Sequence, residues 1–190
     1  KIMNIGILGG TFDPPHLAHK EIALRAIKQF QLDKVVFIPS GTPWQKSVST
    51  PYQDRYNMTC ILIENEDMFE ISDIENNTSK PTYTIDTLRS FCSPENNYFF
   101  ILGSDAAVGI RTWKSYKEMS SFVNFLVAPR EEISFIKLFF AFPFKFKLIK
   151  GKKLDISSTN IRNSIQGNQK SYSQLIPKGI LEYIKRENLY

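Results

Sequence analysis

The stretch "GGTFDPPHLAH", residues 9–19, joins a short apolar run, residues 5–8, to a segment whose apolar residues recur at helical spacing. The apolar run is typical of a buried strand, and the periodic segment predicts a helix over about Leu17–Phe30. Glycines allow sharp turns and close approach to a ligand, and a helix N-terminus presents free N–H groups to a phosphate. His16 and His19 are three residues apart and share a face of the first turn. The stretch therefore predicts a phosphate site at the end of a strand.

Length and composition limit the class of protein. The chain has 190 residues, of which 42% are hydrophobic, which suits a single domain with a substantial core and excludes a disordered chain. The formal net charge of +5 makes an anionic partner plausible, either a nucleotide or a nucleic acid. Cys60 and Cys92 have neither metal-type spacing nor a disulfide framework, which favours a reducing, cytoplasmic setting.

We expect neither a secretory signal nor a membrane span. The apolar N-terminus is too short for a signal and runs directly into glycines. The most apolar stretch, residues 135–149, contains three lysines and a proline, so it predicts a local helix and strand.

Buried strands alternate with helical segments along the chain. After the first strand, the pattern predicts strands at Lys34–Pro39, 69–75, 97–103, 124–130 and 145–151. It predicts further helices at 52–65, 84–92, 157–165 and 176–190. The predicted fold class is therefore α/β, a Rossmann-like parallel sheet with helices on both faces. We expect one domain over residues 1–190, with a small C-terminal helical portion at about residues 156–190.

The two histidines of residues 9–19 are the only ones in the chain. Their spacing could also suit a metal, but no cysteine or third histidine is available to complete a zinc site. Two imidazoles beside a helix N-terminus can donate hydrogen bonds where charge builds up in phosphoryl or nucleotidyl transfer. The phosphate interpretation is favoured, and no metal ligand is predicted on the chain.

The stretch at residues 9–19 also resembles the (T/S)xxHxGH motif of the nucleotidylyltransferase superfamily. In the form GGTFDPxHxGH it resembles the bacterial nicotinate-nucleotide adenylyltransferases. Further segments match that family in order: "IPSGTPWQK", "QDRYNM", "PTYTIDTL", "ILGSDA", "ISSTNIR" and "LIPKGILEYIKRENLY". Departures from the family pattern are Ala18 for glycine, Trp44 and Gln45 for Pro-His, and Thr82 for serine. The match is weakest at "VAPREE", which leaves the role of Arg130 open.

The resemblance implies a set of site residues. Catalysis would depend on His16, His19 and Arg162. ATP would be bound by Gly9, Gly10, Thr11, Phe12, His16, His19, Lys46, Gly103, Asp105, Ile156, Ser157, Ser158, Thr159 and Arg162. The mononucleotide would contact Tyr83, Thr84, Trp113 and Lys46, with Trp113 stacking on the pyridine ring.

Several of these residues also have ordinary structural interpretations. Ser157 and Ser158 can simply cap the helix predicted at 157–165, and Thr82 or Thr84 can cap the helix predicted at 84–92. Trp113 can be a packed core residue. The residues alone leave these alternatives open.

The implied reaction joins ATP and nicotinate mononucleotide to give deamido-NAD and pyrophosphate, with Mg²⁺ held mainly by the ATP phosphates. The implied partners are these two nucleotides, with no nucleic acid and no membrane, and a homodimer is an open possibility. One alternative is a nicotinamide-nucleotide or phosphopantetheine adenylyltransferase. The other is a non-catalytic nucleotide or nucleic-acid binder, which the basic charge and the Trp44–Gln45 departure would suit.

Overall fold

Six strands form one parallel sheet in the computed structural model, which describes residues 1–76, 79–130 and 133–190. The strands are β1 (Asn4–Gly10), β2 (Lys34–Pro39), β3 (Phe69–Ile71), β4 (Asn97–Gly103), β5 (Asn124–Ala128) and β6 (Phe146–Leu148). Their order in the sheet is β3-β2-β1-β4-β5-β6, and all neighbours pair in parallel. The order reverses between β1 and β4, and ligands of doubly wound sheets bind at the carboxyl ends of strands beside such a point.

Helices connect the strands. The α-helices are α1 (Leu17–Phe30), α2 (Tyr52–Ile63), α3 (Thr84–Phe91), α4 (Ser104–Val108), α5 (Phe135–Ala141), α6 (Ser158–Gln166) and α7 (Lys178–Arg186). Short 3-10 helices lie at Ile110–Thr112, Tyr116–Ser121 and Ser171–Gln174. α1 is capped by Gln31, which has a left-handed backbone (φ 53°) and whose N–H donates to the Ile27 carbonyl.

The sheet has a hydrophobic core on each face, because successive strand residues point to opposite sides. In β1, Leu8 joins one core, whereas Ile5 and Ile7 join the other. The first core contains buried residues of α1, α2, α6 and α7, and the second contains those of α3, α4 and α5. The C-terminal helices thus pack on the same face as α1, the helix that carries the histidines.

The predicted fold class is confirmed, with the observed bounds differing in places. α1, β2 and β4 have the predicted bounds, whereas β3, β5 and β6 are shorter than predicted. Gly9 and Gly10 are the last two residues of β1, not the turn that follows it. The expected cap at Thr82 or Thr84 is wrong, because Tyr83 occupies the N-cap of α3 and makes no side-chain cap bond. Sequence patterning had not predicted α4 or the 3-10 helices.

Residues 135–149 form the predicted local helix and strand, α5 and β6. Within the described parts of the chain, no helix is long and apolar enough to cross a membrane. Cys60 and Cys92 are free thiols, as the absence of a disulfide framework predicted.

Candidate active site

A pocket of about 250 Å³ lies at the carboxyl ends of β1, β2 and β4, beside the reversal of strand order. Its walls come from the glycines of β1, the loop after β2, the first turns of α3, and Trp113. An added Cβ at Gly9 would meet nothing closer than the Ile38 carbonyl oxygen at 3.9 Å. A ligand can therefore approach the backbone at the end of β1.

His16 and His19 stand next to each other at the start of α1. Their rings stack with centroids 3.7 Å apart and an interplanar angle of 21°. The His16 backbone N–H donates to His19 Nδ1 at 3.1 Å. Because Nδ1 is an acceptor in this bond, a neutral His19 carries its proton on Nε2, which is then the nitrogen able to donate to a phosphate.

The pKa values of both histidines are lowered in the free protein. Burial, and then the positive charge of Arg130, lowers the pKa of His16 to about 3. The pKa of His19 is well below its usual value, first through burial and then through the charges of His16, Arg130 and Lys46. Both rings are therefore neutral near pH 7. Each keeps one ring N–H that can donate a hydrogen bond, but neither carries the second proton that a general acid would transfer.

α6 holds the loop that precedes the histidines. The Ser158 hydroxyl donates to the Pro14 carbonyl at 2.8 Å, and Arg162 Nη1 donates to the Asp13 carbonyl at 2.8 Å. The C-terminal Tyr190 hydroxyl donates to the Asp13 carboxylate. At the N-cap of α6, Ser157 Oγ accepts from the Asn160 N–H at 3.0 Å. The two predicted phosphate segments, 144 residues apart at Pro14 and Ser158, are thus one unit.

Arg130, whose role the sequence left open, lies at this site. Its Nε is 3.7 Å from Asp105 Oδ2, and its Nη2 donates to the Ile156 carbonyl at 3.5 Å. Its backbone N–H donates to Ser104 Oγ at 2.8 Å. A Cβ added at Gly103 would be 2.6 Å from Asp105 Oδ1 and 3.2 Å from the Arg130 side chain, so Gly103 lies directly beside this pair. Arg130 therefore links the end of β4 to the start of α6.

Thr84 and Trp113 line the pocket, whereas neither histidine is among its lining residues. Trp113 is half-buried and packs edge-to-face on Phe100, with centroids 6.2 Å apart, which leaves part of its surface in the pocket. Trp44, one of the departures from the family pattern, also lines the pocket and lies 6.3 Å from the Tyr83 ring. The pocket wall is therefore aromatic, as a pyridine ring would require.

Arg55 and Glu75 are polar residues of the site that the sequence did not predict. Arg55 is 2% exposed and donates to four carbonyls, those of Thr11, Ser40, Gly41 and Thr50, at 2.6–3.1 Å. Glu75 lines the pocket as a half-buried carboxyl. Two features of the sequence could have indicated them: Arg55 lies in the segment "QDRYNM", and Glu75 follows β3 at the edge of the sheet where ligands bind. Neither feature predicts what the residue does.

The predicted residues that line the pocket are Gly9, Gly10, Thr11, Lys46, Thr84 and Trp113. The other predicted residues are not among its lining residues: His16, His19, Tyr83, Gly103, Asp105, Ser157, Ser158, Thr159, Arg162, Phe12 and Ile156. The Phe12 side chain is 2% exposed, belongs to the first core, and packs edge-to-face on His19 at 5.0 Å. The Ile156 side chain also packs against that core. Any ligand contact by these two residues would therefore be made by the backbone. Lys46 lines the pocket, and its pKa is lowered by burial and then by the charge of Arg162.

A doubly wound sheet with donors for phosphate oxygens at the end of β1 and at the start of α6 defines a nucleotide-binding α/β protein of the nucleotidylyltransferase class. A cytidylyltransferase-like family model matches residues 7–164. The chain belongs to that family and, within it, to the nicotinate-nucleotide adenylyltransferases.

Curated relatives carry that name. A protein of Corynebacterium kroppenstedtii, "Probable nicotinate-nucleotide adenylyltransferase", is 38% identical over 98% of this chain and 90% of its own length. A Clostridium botulinum protein of the same name is 37% identical over the full length of both chains.

A solved structure is also similar over nearly the whole chain. The nicotinic acid mononucleotide adenylyltransferase of Plasmodium falciparum, complexed with NaAD, aligns with a TM-score of 0.86 and 26% identity. The alignment covers 99% of this chain and 97% of that one. The same enzyme complexed with APC aligns with a TM-score of 0.81 and 25% identity.

Proposed function

We propose that this chain transfers the adenylyl group of ATP to nicotinate mononucleotide, giving deamido-NAD and pyrophosphate. The observation that carries the proposal is that Ser158 and Arg162 of α6 hydrogen-bond to the loop that leads to the histidines. A pocket with aromatic walls lies beside this loop. One end of this site offers donors for a triphosphate, and the other offers a surface for a pyridine ring. The curated relatives with 37–38% identity support the same activity.

The chemical step needs no protein nucleophile. A 5′-phosphate oxygen of the mononucleotide attacks the α-phosphorus of ATP, a new P–O bond forms, and the bond from that phosphorus to the β-phosphate oxygen breaks. Pyrophosphate leaves with the electron pair of the broken bond. The work of the chain is to align the two reactants and to stabilise charge on the phosphate oxygens.

His16, His19 and Arg162 are the residues proposed to stabilise that charge. Neutral imidazoles can each donate one hydrogen bond to a phosphate oxygen. Arg162 uses one nitrogen on Asp13, and its guanidinium has further N–H groups that can bind a phosphate. A bound triphosphate would also raise the pKa of both histidines, since a nearby negative charge favours the protonated form.

The predicted ATP residues on β4 and α6 surround the same region. Asp105 is exposed at the end of β4, where a carboxylate can accept hydrogen bonds from a ribose or an amino group. Thr159 and Ser157 stand at the N-terminus of α6, whose free N–H groups suit phosphate oxygens.

Mg²⁺ is proposed as a partner of the ATP phosphates. Among the residues that the structure describes, no group of three or more His, Cys, Asp or Glu side chains is arranged to hold a metal. The donor set thus suits an ion that keeps its waters and is carried by the substrate. The ion would supply charge neutralisation on the triphosphate.

Pyrophosphate release tests the proposal. The purified protein is incubated with ATP and Mg²⁺ and with one acceptor at a time: nicotinate mononucleotide, nicotinamide mononucleotide or phosphopantetheine. The expected result is release with the first acceptor in excess of the others. Release with phosphopantetheine alone, or no release with any acceptor together with oligonucleotide binding, would contradict the proposal.

A further inference from the structure

Glu75 places an ionisable group at the acceptor end of the pocket. Of the described side chains that line this pocket, two are ionisable, Lys46 and Glu75. Lys46 belongs to the phosphate end, where its pKa responds to Arg162 and Asp13. Glu75 lies beside α3, where it accepts a hydrogen bond from Thr87, and its charge is not among those that shift the pKa of Lys46. A mononucleotide with its phosphate near Lys46 would therefore point its pyridine substituent towards Glu75.

The two oxygens of the Glu75 carboxyl are not equally engaged. Oε2 accepts from the Thr87 hydroxyl at 2.9 Å. Oε1 accepts from the Gly41 N–H at 3.4 Å, which is long for such a bond. Oε1 is therefore the oxygen that is able to carry a proton or to meet a ligand.

The surroundings of Glu75 allow both protonation states. Burial raises the pKa of its carboxyl, and the hydrogen bonds from Thr87 and Gly41 and the charge of Arg55 oppose the rise. The titratable groups that interact with it are Arg55 and Tyr52, both on α2. α3 contributes threonines to this wall.

We propose that Glu75 is a specificity-determining residue, whose neutral carboxyl donates a hydrogen bond to an acid substituent and whose ionised carboxylate accepts one from an amide. The inference rests on the proposed function, because it assumes a pyridine mononucleotide in the pocket. Its physical basis is that a site discriminates strongly when the wrong substrate leaves a buried polar group unpaired or opposes like charges. The preference for nicotinate over nicotinamide mononucleotide should therefore decrease as the pH rises.

The ratio of kcat/KM for nicotinate mononucleotide to kcat/KM for nicotinamide mononucleotide measures this preference. Titration of the shared phosphate, of Lys46 and of the histidines affects both acceptors alike and cancels in the ratio. We expect the wild-type ratio to fall at least about fivefold from the lowest to the highest pH at which the enzyme stays folded, as the carboxyl ionises. In Glu75→Gln, which cannot ionise, the ratio should stay within about twofold over that range.

Asp86→Asn is the matched control. Asp86 is another carboxylate of the neighbouring segment, on α3, but it pairs with Arg89 and Lys114 and does not line the pocket. The control should keep the wild-type dependence of the ratio on pH. If the Gln variant does not fold, calorimetry in two buffers replaces it. Nicotinate mononucleotide binding to the wild-type protein should then take up more protons near neutral pH than nicotinamide mononucleotide binding does.

A flat wild-type ratio would overturn the inference, as would an unchanged pH dependence in Glu75→Gln or equal proton uptake for both acceptors. Those results leave the proposed function standing, because transfer to nicotinate mononucleotide is measured in the same assay. Absence of transfer to either acceptor would instead overturn the proposed function itself.

Discussion

Replacing Arg55 by methionine removes the guanidinium that joins three segments around the pocket. Arg55 donates to the carbonyls of Thr11, Ser40, Gly41 and Thr50, and three of these four bonds are buried. A buried carbonyl left without its donor costs roughly 1–2 kcal/mol, so the three buried ones together predict a loss of about 3–6 kcal/mol in the free energy of unfolding. Methionine fills most of the space and keeps the cavity contribution small.

Arg55→Lys separates the hydrogen-bond pattern from the charge. An ammonium group is a compact donor and cannot reach carbonyls on both sides as a planar guanidinium does, so we expect a loss of about 2 kcal/mol. We expect kcat to fall at least about tenfold in both variants, because the Thr11 and Ser40 walls would shift relative to each other.

Urea unfolding followed by tryptophan fluorescence, together with steady-state pyrophosphate release, measures both effects. Arg89→Met is the matched control, since Arg89 is exposed and pairs with Glu118 and Asp86 at the surface. That variant should unfold at the wild-type urea midpoint with wild-type kcat. If the free energy of unfolding of Arg55→Met lies within about 1 kcal/mol of the wild-type value and its kcat is unchanged, the four bonds do not organise the site and the reasoning is refuted.

The remaining predictions concern the phosphate and acceptor ends of the site. His19→Ala should stay folded and lower kcat by roughly 10²–10³, the effect of losing one preorganised donor; near-normal kcat would remove His19 from the mechanism. Arg162→Ala should raise KM for ATP more than KM for the mononucleotide, and the reverse pattern would mean that the two subsites are exchanged. Nicotinate mononucleotide should be preferred over nicotinamide mononucleotide by at least about tenfold in kcat/KM near neutral pH, which needs only about 1.4 kcal/mol of differential binding in the transition state. Wild-type stability should fall as the pH drops from 6.5 towards 3, because His16 binds a proton when unfolded but stays neutral when folded, where its pKa is about 3. Urea titrations at several pH values give the slope of the free energy of unfolding against pH, and His16→Asn should reduce this slope by about 1.4 kcal/mol per pH unit. An unchanged slope would show that His16 is not buried in the neutral form.

Local patterns in the sequence determined the elements and their order. Apolar runs predicted β2 and β4 with their observed bounds, and helical spacing predicted α1 as Leu17–Phe30. The alternation of strands with helices was enough to predict a parallel doubly wound sheet, because connections in such sheets obey strong topological rules. The sequence also indicated two candidate phosphate segments, "GGTFDPPHLAH" and "ISSTNIR", each of which leads into a helix in the structure.

The ends of the strands and the cap residues of the helices were harder to predict from the sequence. Short strands such as β3 and β6, of three residues each, have too little pattern to define their ends. Thr84 has the side chain of a good cap, yet Tyr83 takes the cap position of α3 and makes no side-chain cap bond. The threonine side chains of this wall line the pocket instead, so tertiary position outweighed local preference.

By itself the sequence determined the alternation of strands with helices and the position of its two histidines at the start of the first helix. Only the tertiary structure decided what those histidines are chemically, because their low pKa values depend on burial and on Arg130, which is distant in the chain. It likewise decided that Arg55 joins Thr11 to Ser40 and that Glu75 lines the pocket. Periodicity reports neighbours one or two turns away, whereas electrostatics and hydrogen bonding depend on groups that the fold brings together from far along the chain.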